Sequence, residues 1–464
     1  MGKIVSKTFS TEIVQGSTTS VTLTDSAFNG QLPKVIIVTA VNTEGFASIS
    51  SEAAMSYGVW CDDMSLPQAL CFWNFTTSSS TRGGVANFFD TQVGDSYILG
   101  GPSTPRASGN VTAIANGIRI DPLDSLKTCQ LVVQTFGGSG IESTSFDNII
   151  AGSEGSIGRQ TTQTVSLNNS GCTPNFTIAM TAFNNTTNAL GAGIGIGFAG
   201  LHQGTTLLNR SCGSFGTVPT NSTKMGAQLS TNNIHVRPQD DGHNSQEQFA
   251  VTSYGQGQMG LTTVNGTTWT RQSNTFFINV QLKKPEQLSI FNKNVPTGSS
   301  AYSIGNSTKE PVSAFVITHL QKDGPGTENW AGDDFGLGFF MTDGSDNGHS
   351  ISVAVEDRLY NSVPPLFTND IRGARKTGMM VCRATDWNDP SNATRTYSDT
   401  ASFNSNTYML DMGARFGATN RGFAQVGFML SSGGPTMYLG ETEVDSLILG
   451  TNEIDAIFLG STEG

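Results

Sequence analysis

One pattern occurs three times along this chain, and a pattern that recurs at the length of a whole domain restricts the fold to a tandem array of like units. Leu32-Pro33-Lys34-Val35-Ile36-Ile37-Val38-Thr39-Ala40 returns as Thr173-Pro174-Asn175-Phe176-Thr177-Ile178-Ala179-Met180-Thr181-Ala182, and again as Glu310-Pro311-Val312-Ser313-Ala314-Phe315-Val316-Ile317-Thr318. The three prolines stand 141 and 137 residues apart. The glycine-spaced runs Tyr57-Gly58-Val59-Trp60, Ile194-Gly195-Ile196-Gly197-Phe198 and Phe335-Gly336-Leu337-Gly338-Phe339 keep the same order. So do the closing segments Cys129 to Val133, Phe276 to Val280 and Ala424 to Phe428. The period is far longer than a solenoid repeat, and each copy is long enough to bury a core of its own.

Composition gives the class of each copy. Gly accounts for 54 of 464 residues and charged residues for only 13%, with Ser, Thr and Asn separating short apolar runs, which is how an all-β chain with many turns reads. The best helix candidate, residues 50–57, spans about two turns, and no window of about 12 residues or more sustains a 3.6-residue apolar stripe. The expected architecture is three tandem β-sandwich, jelly-roll-like domains from internal duplication, at 1–140, 141–297 and 298–431, followed by a separate segment at 432–464.

Within the copies the apolar residues alternate with period two, as in half-buried strands. In Gly193-Ile194-Gly195-Ile196-Gly197-Phe198 the glycines fall on one face and the large apolar residues on the other. A face without side chains admits another backbone or an aromatic ring at close range. Pro33, Pro174 and Pro311 occupy the strand position where proline is tolerated, the first residue.

The last 33 residues follow a ten-residue period: Leu439, Leu449, Leu459; Gly440, Gly450, Gly460; Glu443, Glu453, Glu463; Val444, Ile454. Each unit reads as a short strand ending in Leu-Gly and a polar turn. So few short strands cannot close a core, so the apolar positions Val444, Leu447, Leu449, Ile454, Ile457 and Leu459 are candidate oligomerisation residues that require a partner surface. The segment holds six acidic residues (Glu441, Glu443, Asp445, Glu453, Asp455, Glu463) and no Lys or Arg, which is half of the net charge of −12.

That acidic balance, with cations as sparse as Lys322 and the group Arg372, Arg375 and Lys376, argues against nucleic-acid binding, which needs clustered positive charge. Cys61, Cys71, Cys129, Cys172, Cys212 and Cys382 form no CxxC pair and have no histidine at zinc spacing. They read as buried small hydrophobes, with Cys61 and Cys71 the one pair that a hairpin could bridge. The N-terminus carries no apolar signal core, and no run approaches the length of a membrane helix. The sequons at Asn74, Asn175, Asn221 and Asn306 read as products of an Asn- and Thr-rich composition.

No constellation points to catalysis. Gly195, Gly197 and Gly200 satisfy G-x-G-x-x-G, but no helix follows them, and the third copy lacks the last glycine. HExxH, P-loop and G-x-S-x-G motifs are absent. His202, His235, His243, His319 and His349 occupy no position common to all three copies. Asp333, Asp334 and Glu356 are carboxylates of the kind a glycosidase would use. Asp343 and Asp346 in one loop, and Asp240 and Asp241 in another, concentrate oxygen ligands around glycines as calcium loops do, although ordinary Asp/Asn-Gly turns have the same composition. No cofactor other than a possible Ca2+ is expected.

The Pro-led strand, the glycine-spaced aromatic strand and the closing apolar strand resemble a group of proteins common in tailed-phage genomes, and the Leu-Gly decamers are similar to short C-terminal repeats of phage tail and fibre proteins. The resemblance implies a non-enzymatic virion structural protein, of tail fibre, tail-tip or capsid-surface type. Assembly in a bacterial cytoplasm, association as a homo-oligomer, most simply a trimer, and contacts with other virion proteins follow from it. The alternatives are a glycan-binding adhesin or glycan-depolymerising tailspike, with Trp73, Trp269, Trp330 and Trp387 available to stack on sugars, and a capsid decoration protein. No nucleic acid and no membrane insertion are expected.

Overall fold

The computed structural model describes residues 2–42, 52–63, 69–78, 81–82, 97–101, 104–150, 162–183, 193–201, 208–218, 221–230, 232–237, 247–263, 273–295, 301–307, 310–321, 330–332, 334–343, 348–357, 367–374, 380–382, 395–397, 401–404, 407–412, 422–431, 437–439, 442–444, 447–449 and 452–454. Nearly all of them lie in antiparallel strands, so the fold is all-β.

The first set of strands is β1 (Val5–Ile13), β2 (Val21–Thr24), β3 (Val35–Asn42), β4 (Glu52–Cys61), β5 (Ala69–Ser78), β6 (Thr81–Arg82), β7 (Tyr97–Gly101), β8 (Thr104–Ile114), β9 (Gly117–Ser125) and β10 (Cys129–Gly137). They form one sheet ordered β1-β10-β3-β4-β5-β6 and a second ordered β2-β9-β8-β7. The next set is β11 (Ile141–Ile150), β12 (Thr162–Ser166), β13 (Phe176–Phe183), β14 (Gly193–Leu201), β15 (Leu208–Val218), β16 (Asn221–Ser230), β17 (His235–Arg237), β18 (Glu247–Gly255), β19 (Gln258–Thr263) and β20 (Ser273–Leu282).

The third set is β21 (Leu288–Val295), β22 (Tyr302–Ile304), β23 (Pro311–Gln321), β24 (Trp330–Gly332), β25 (Asp334–Thr342), β26 (His349–Asp357), β27 (Phe367–Ala374), β28 (Met380–Cys382), β29 (Arg395–Tyr397), β30 (Ala401–Asn404), β31 (Met409–Met412) and β32 (Gly422–Ser431). The large sheets of these two sets run β11-β20-β13-β14-β15-β16-β24 and β21-β32-β23-β25-β26-β27. The smaller ones run β12-β19-β18-β17 and β22-β31-β30, so the strand order of the first set recurs twice. Strand β24 leaves its own set to pair with β16, where Trp330 lies opposite Ala227.

Pairing of β21 with β32 places residues 288–295 in the third set. The crossing from the second set to the third is therefore Lys283–Gln287, ahead of the break expected at 297/298. The leading strand of each set lies upstream of the proline landmark and pairs with the closing strand, and the repeated landmarks carry no mark of it.

The Pro-led strands are buried on both faces. In β3, Val35, Ile37 and Val41 join one apolar cluster, while Ile36, Val38 and Ala40 join another that includes Tyr97, Leu99, Val111, Ile118 and Ile120 of the smaller sheet. In β13, Phe176, Ile178 and Met180 face the first kind of cluster, and Ala179 faces a local one with Phe249, Val251 and Phe277. In β23, Phe315 and Ile317 do the same, with Ala314 and Val316 turned toward Ile304 and Leu410. Each set thus has a local core between its two sheets, and the outer faces of all three large sheets share one central core.

Aromatic rings join the sheets at that centre. Tyr57 of β4 lies against Phe315 and Phe339, with centroids 6.0 and 5.9 Å away. Phe428 of β32 meets Phe136 of β10 at 6.2 Å, Phe176 of β13 at 5.0 Å and Phe198 of β14 at 5.1 Å. The three large sheets close on one another, which a row of beads on a string would not do.

Candidate functional site

The register places both crossings and the exit of the body at one end of the sheets. Val5 pairs with Gly137, Ile141 with Leu282, and Leu288 with Leu430. At this end the Gly140 N–H donates to the Lys3 carbonyl, and the Lys283 N–H donates to the Gly140 carbonyl, both at 2.9 Å. The buried Gln287 amide donates to the Gly2 carbonyl at 3.2 Å, and the Ser431 hydroxyl donates to the Gln287 carbonyl at 3.3 Å. A Cβ at Gly2 would come within 2.6 Å of the Ser139 carbonyl oxygen, so only glycine lets these backbones approach so closely.

Polar side chains stitch the seams between sheets near the same end. Between the first and third sets, the Ser6 hydroxyl donates to Ser313 Oγ at 2.9 Å, and the Gln134 amide donates to Ser313 Oγ at 2.7 Å and to the Ala314 carbonyl at 3.0 Å. Between the first and second, Thr144 Oγ1 donates to Asp62 Oδ1 at 2.6 Å and the Phe146 N–H donates to Asp63 Oδ2 at 3.2 Å. Lys34 Nζ reaches the Ile141 carbonyl. Burial pushes the Asp63 carboxyl above its ordinary range, with the Phe146 N–H opposing and the neighbouring Asp62 charge adding to the rise. Asp147 is raised chiefly by burial as well, while bonds from the Asn168 N–H and the Asn279 amide favour its charged form.

Of the candidate calcium ligands, Asp343 belongs to a seam. Its Oδ2 accepts from the Thr8 N–H at 3.3 Å and stands 4.0 Å from Lys7 Nζ, with the side chain 3% exposed. Asp346, Asp240 and Asp241 lie outside the described residues. Among the described residues no group of three or more His, Cys, Asp or Glu is placed to hold a metal ion.

Of the glycosidase-type carboxylates, Asp334 lies directly opposite Glu356 in the β25–β26 register, and Asp333 lies outside the described residues. Trp73 is on β5 opposite Met55, and Trp330 is on β24; Trp269 and Trp387 are outside. Of the histidines, His235 and His319 lie on strands in different sheets, and His349 begins β26, half-buried, with Nδ1 inaccessible and lacking a hydrogen-bond partner among the described residues. His202 and His243 are outside.

Gly195, Gly197 and Gly200 all lie within β14. A Cβ at Gly197 would collide with the Ile234 carbonyl oxygen, so the bare face receives another stretch of backbone. Cys61, Cys129, Cys172 and Cys212 are buried free thiols, and burial pushes Cys61 and Cys129 up to about 12. Cys71 pairs with Tyr57, not Cys61, in the hairpin register. Asn175, read from the sequence only as a sequon, has a structural role: its side-chain amide donates to the Leu282 carbonyl at 2.7 Å and its Oδ1 accepts from the Leu282 N–H at 2.9 Å. It imitates a strand partner at the head of β13.

The decamer segment forms two hairpins, β33 (Met437–Leu439) with β34 (Thr442–Val444), and β35 (Leu447–Leu449) with β36 (Asn452–Ile454). Among the described residues, neither pairs with a strand of the body. Met437 stands opposite Val444 and Leu447 opposite Ile454; Tyr438 stands opposite Glu443 and Ile448 opposite Glu453. Ile457 and Leu459 are outside the described residues.

Comparison with family models, with curated proteins and with solved structures finds no match.

Proposed function

We propose that this chain is a non-enzymatic structural component of a tailed-phage virion, a tail fibre or surface appendage protein that works as a homo-oligomer and takes part in assembly and attachment to the host surface. Its body is three tandem β-sandwich units descended from one by duplication, with residues 432–464 as an assembly segment. The observation that carries a scaffold role is the use of polar groups at the seams. Asp62, Asp63, Gln134, Ser313 and Asp343 are engaged between sheets, an arrangement that rigidifies a body. The family part of the reading rests on the repeated strands and the Leu-Gly decamers.

Antibody labelling of intact particles by electron microscopy tests the proposal, with gold expected on an appendage or surface. Particles that lack the chain would overturn it. One observation favours a second reading, a glycan-depolymerising spike: Asp334 and Glu356 occupy directly opposed positions in the β25–β26 register, which makes two carboxylate-bearing residues cross-strand neighbours, and glycosidases work with a pair of such residues. Release of oligosaccharide from host capsule, abolished in Glu356→Gln, would establish the spike in place of the scaffold.

A further inference from the structure

We infer that the seam between the first and second sets is a proton-operated clasp: carboxylates just after β4 and along β11 share the contact with no cation to offset them, and the two sets hold each other more tightly once one of the group takes up a proton.

Four acidic residues meet at this seam, Asp62 and Asp63 just after β4 and Glu142 and Asp147 on β11. Asp62 Oδ1 accepts from the Thr144 hydroxyl and Asp63 Oδ2 from the Phe146 N–H, so the pair from the first set is bound directly to the strand that carries the other two. Every donor to the group is neutral. The Gln281 amide donates to Glu142 Oε2 at 2.8 Å, and the Asn168 N–H and the Asn279 amide donate to Asp147 at 2.7 and 2.9 Å. Lys34 reaches across from the first set, but its Nζ donates to the backbone carbonyls of Ile141 and Glu142. Among the described residues no ion pair involves any of the four carboxylates.

The other two seams are built differently. Gly200 of the second set lies against Leu288 and Ile290 of the third, an apolar contact, and where the third set meets the first, Asp343 has Lys7 beside it.

Burial and like-charge repulsion both favour the protonated form of a carboxyl. Asp63 is raised by burial, with the Asp62 charge adding to the rise, and Asp147, 3% exposed, is raised by burial with the Asp63 charge adding. The Cys172 thiol is raised by burial first and then by Asp147, Asp63 and Glu142, so three of the four charges act on one sulfur. Cys61 and Cys172, the two thiols at the seam, are both raised and stay neutral at and below neutral pH. A carboxyl that binds its proton more tightly in the fold than in the open chain contributes stability that is complete below the ordinary Asp value of about 3.9 and is lost as pH rises through the folded value. The clasp is therefore loosest when all four groups are ionised and tightens as pH falls.

Hydrogen exchange of the native full-length chain, read by mass spectrometry and corrected for the intrinsic pH dependence of exchange, tests this. Protection of residues 142–147 should rise between about pH 7.5 and about pH 4.5, toward tenfold for each unit by which the folded proton affinity exceeds the unfolded one. Protection of residues 5–9 of β1, at the seam with the third set, should not rise with it. Asp63→Asn removes the charge but keeps an acceptor for the Phe146 N–H, so residues 142–147 should be better protected than in wild type already at neutral pH and change little on acidification. Asp62→Asn should shift protection in the same direction. Wild-type protection at 142–147 that stays flat or falls, or that rises equally in β1, would overturn the inference, as would two aspartate variants that both follow pH as wild type does.

Discussion

Truncation of Phe428 to alanine separates a single body with a shared core from three independent sandwiches. Phe428 is fully buried and packs against rings from both other sets, Phe136 from the first and Phe176 and Phe198 from the second, and it stacks on Phe315 at 5.9 Å with ring planes 11° apart. Removing a buried phenylalanine costs about 3–5 kcal/mol, the upper end applying where surrounding strands cannot collapse into the hole. Sheets hydrogen-bonded on both sides of β32 are such a case.

The shift in melting temperature depends on how much of the chain melts together. With an unfolding entropy of about 2.1 cal/mol/K per residue, a body of roughly 430 residues that melts as one loses about 4 °C for a loss of about 4 kcal/mol. A unit of roughly 140 residues that melts alone would lose about 14 °C. Differential scanning calorimetry of residues 1–431 with and without Phe428→Ala reads this directly. One transition moved by the smaller amount is expected. Several wild-type transitions, of which one moves by the larger amount while the others stay, would show that the central cluster does not couple the sheets.

Two further outcomes follow from buried ionisable groups. Burial lowers the affinity of the His349 ring for a proton, with the nearby Asp343 charge opposing, so the neutral ring is favoured in the fold. Its contribution to stability is complete above the unfolded value of about 6.5 and is lost as pH falls toward the folded value, so wild type should lose more melting temperature than His349→Gln between about pH 7.5 and pH 5; equal losses would refute this. Cys61 and Cys129, with thiols pushed up to about 12, should escape alkylation by iodoacetamide at about pH 8 in the native protein and react fully in denaturant, as peptide mass spectrometry would show; rapid native labelling of either would contradict their burial.

The all-β class was legible because glycine and turn residues interrupt every apolar run, and the bare face of Gly193 to Phe198 correctly signalled a close backbone approach. The shared core was written in the chain too, but in a pattern that alternation does not capture. Val35, Ile36, Ile37 and Val38 are consecutive apolar residues, and such a run marks a strand covered on both faces. Reading the strands as half-buried leaves one face for water, where the structure puts two other sheets. The seams were not legible at all. Asp62 and Asp343 sit at strand ends, where a carboxylate ordinarily signals a turn, and their partners Thr144 and Thr8 are 82 and 335 residues away. Local sequence carries no trace of a contact at that separation.

The place where the body ends ties these observations together. Ser431 closes β32, a strand with β21 on one side and β23 on the other, and its hydroxyl is bonded to Gln287, whose amide holds Gly2 of the first set. The Gly140 and Lys283 N–H bonds join the remaining crossing to the same cluster. A load applied to residues 432–464 therefore enters at the point where all three sets are fastened together, and through Phe428 it meets the central core only three residues before the exit. Had the sets been linked end to end, each would carry the whole load and the weakest would open first. For a chain held by its tail, closing three sheets on one core shares the force among all of them.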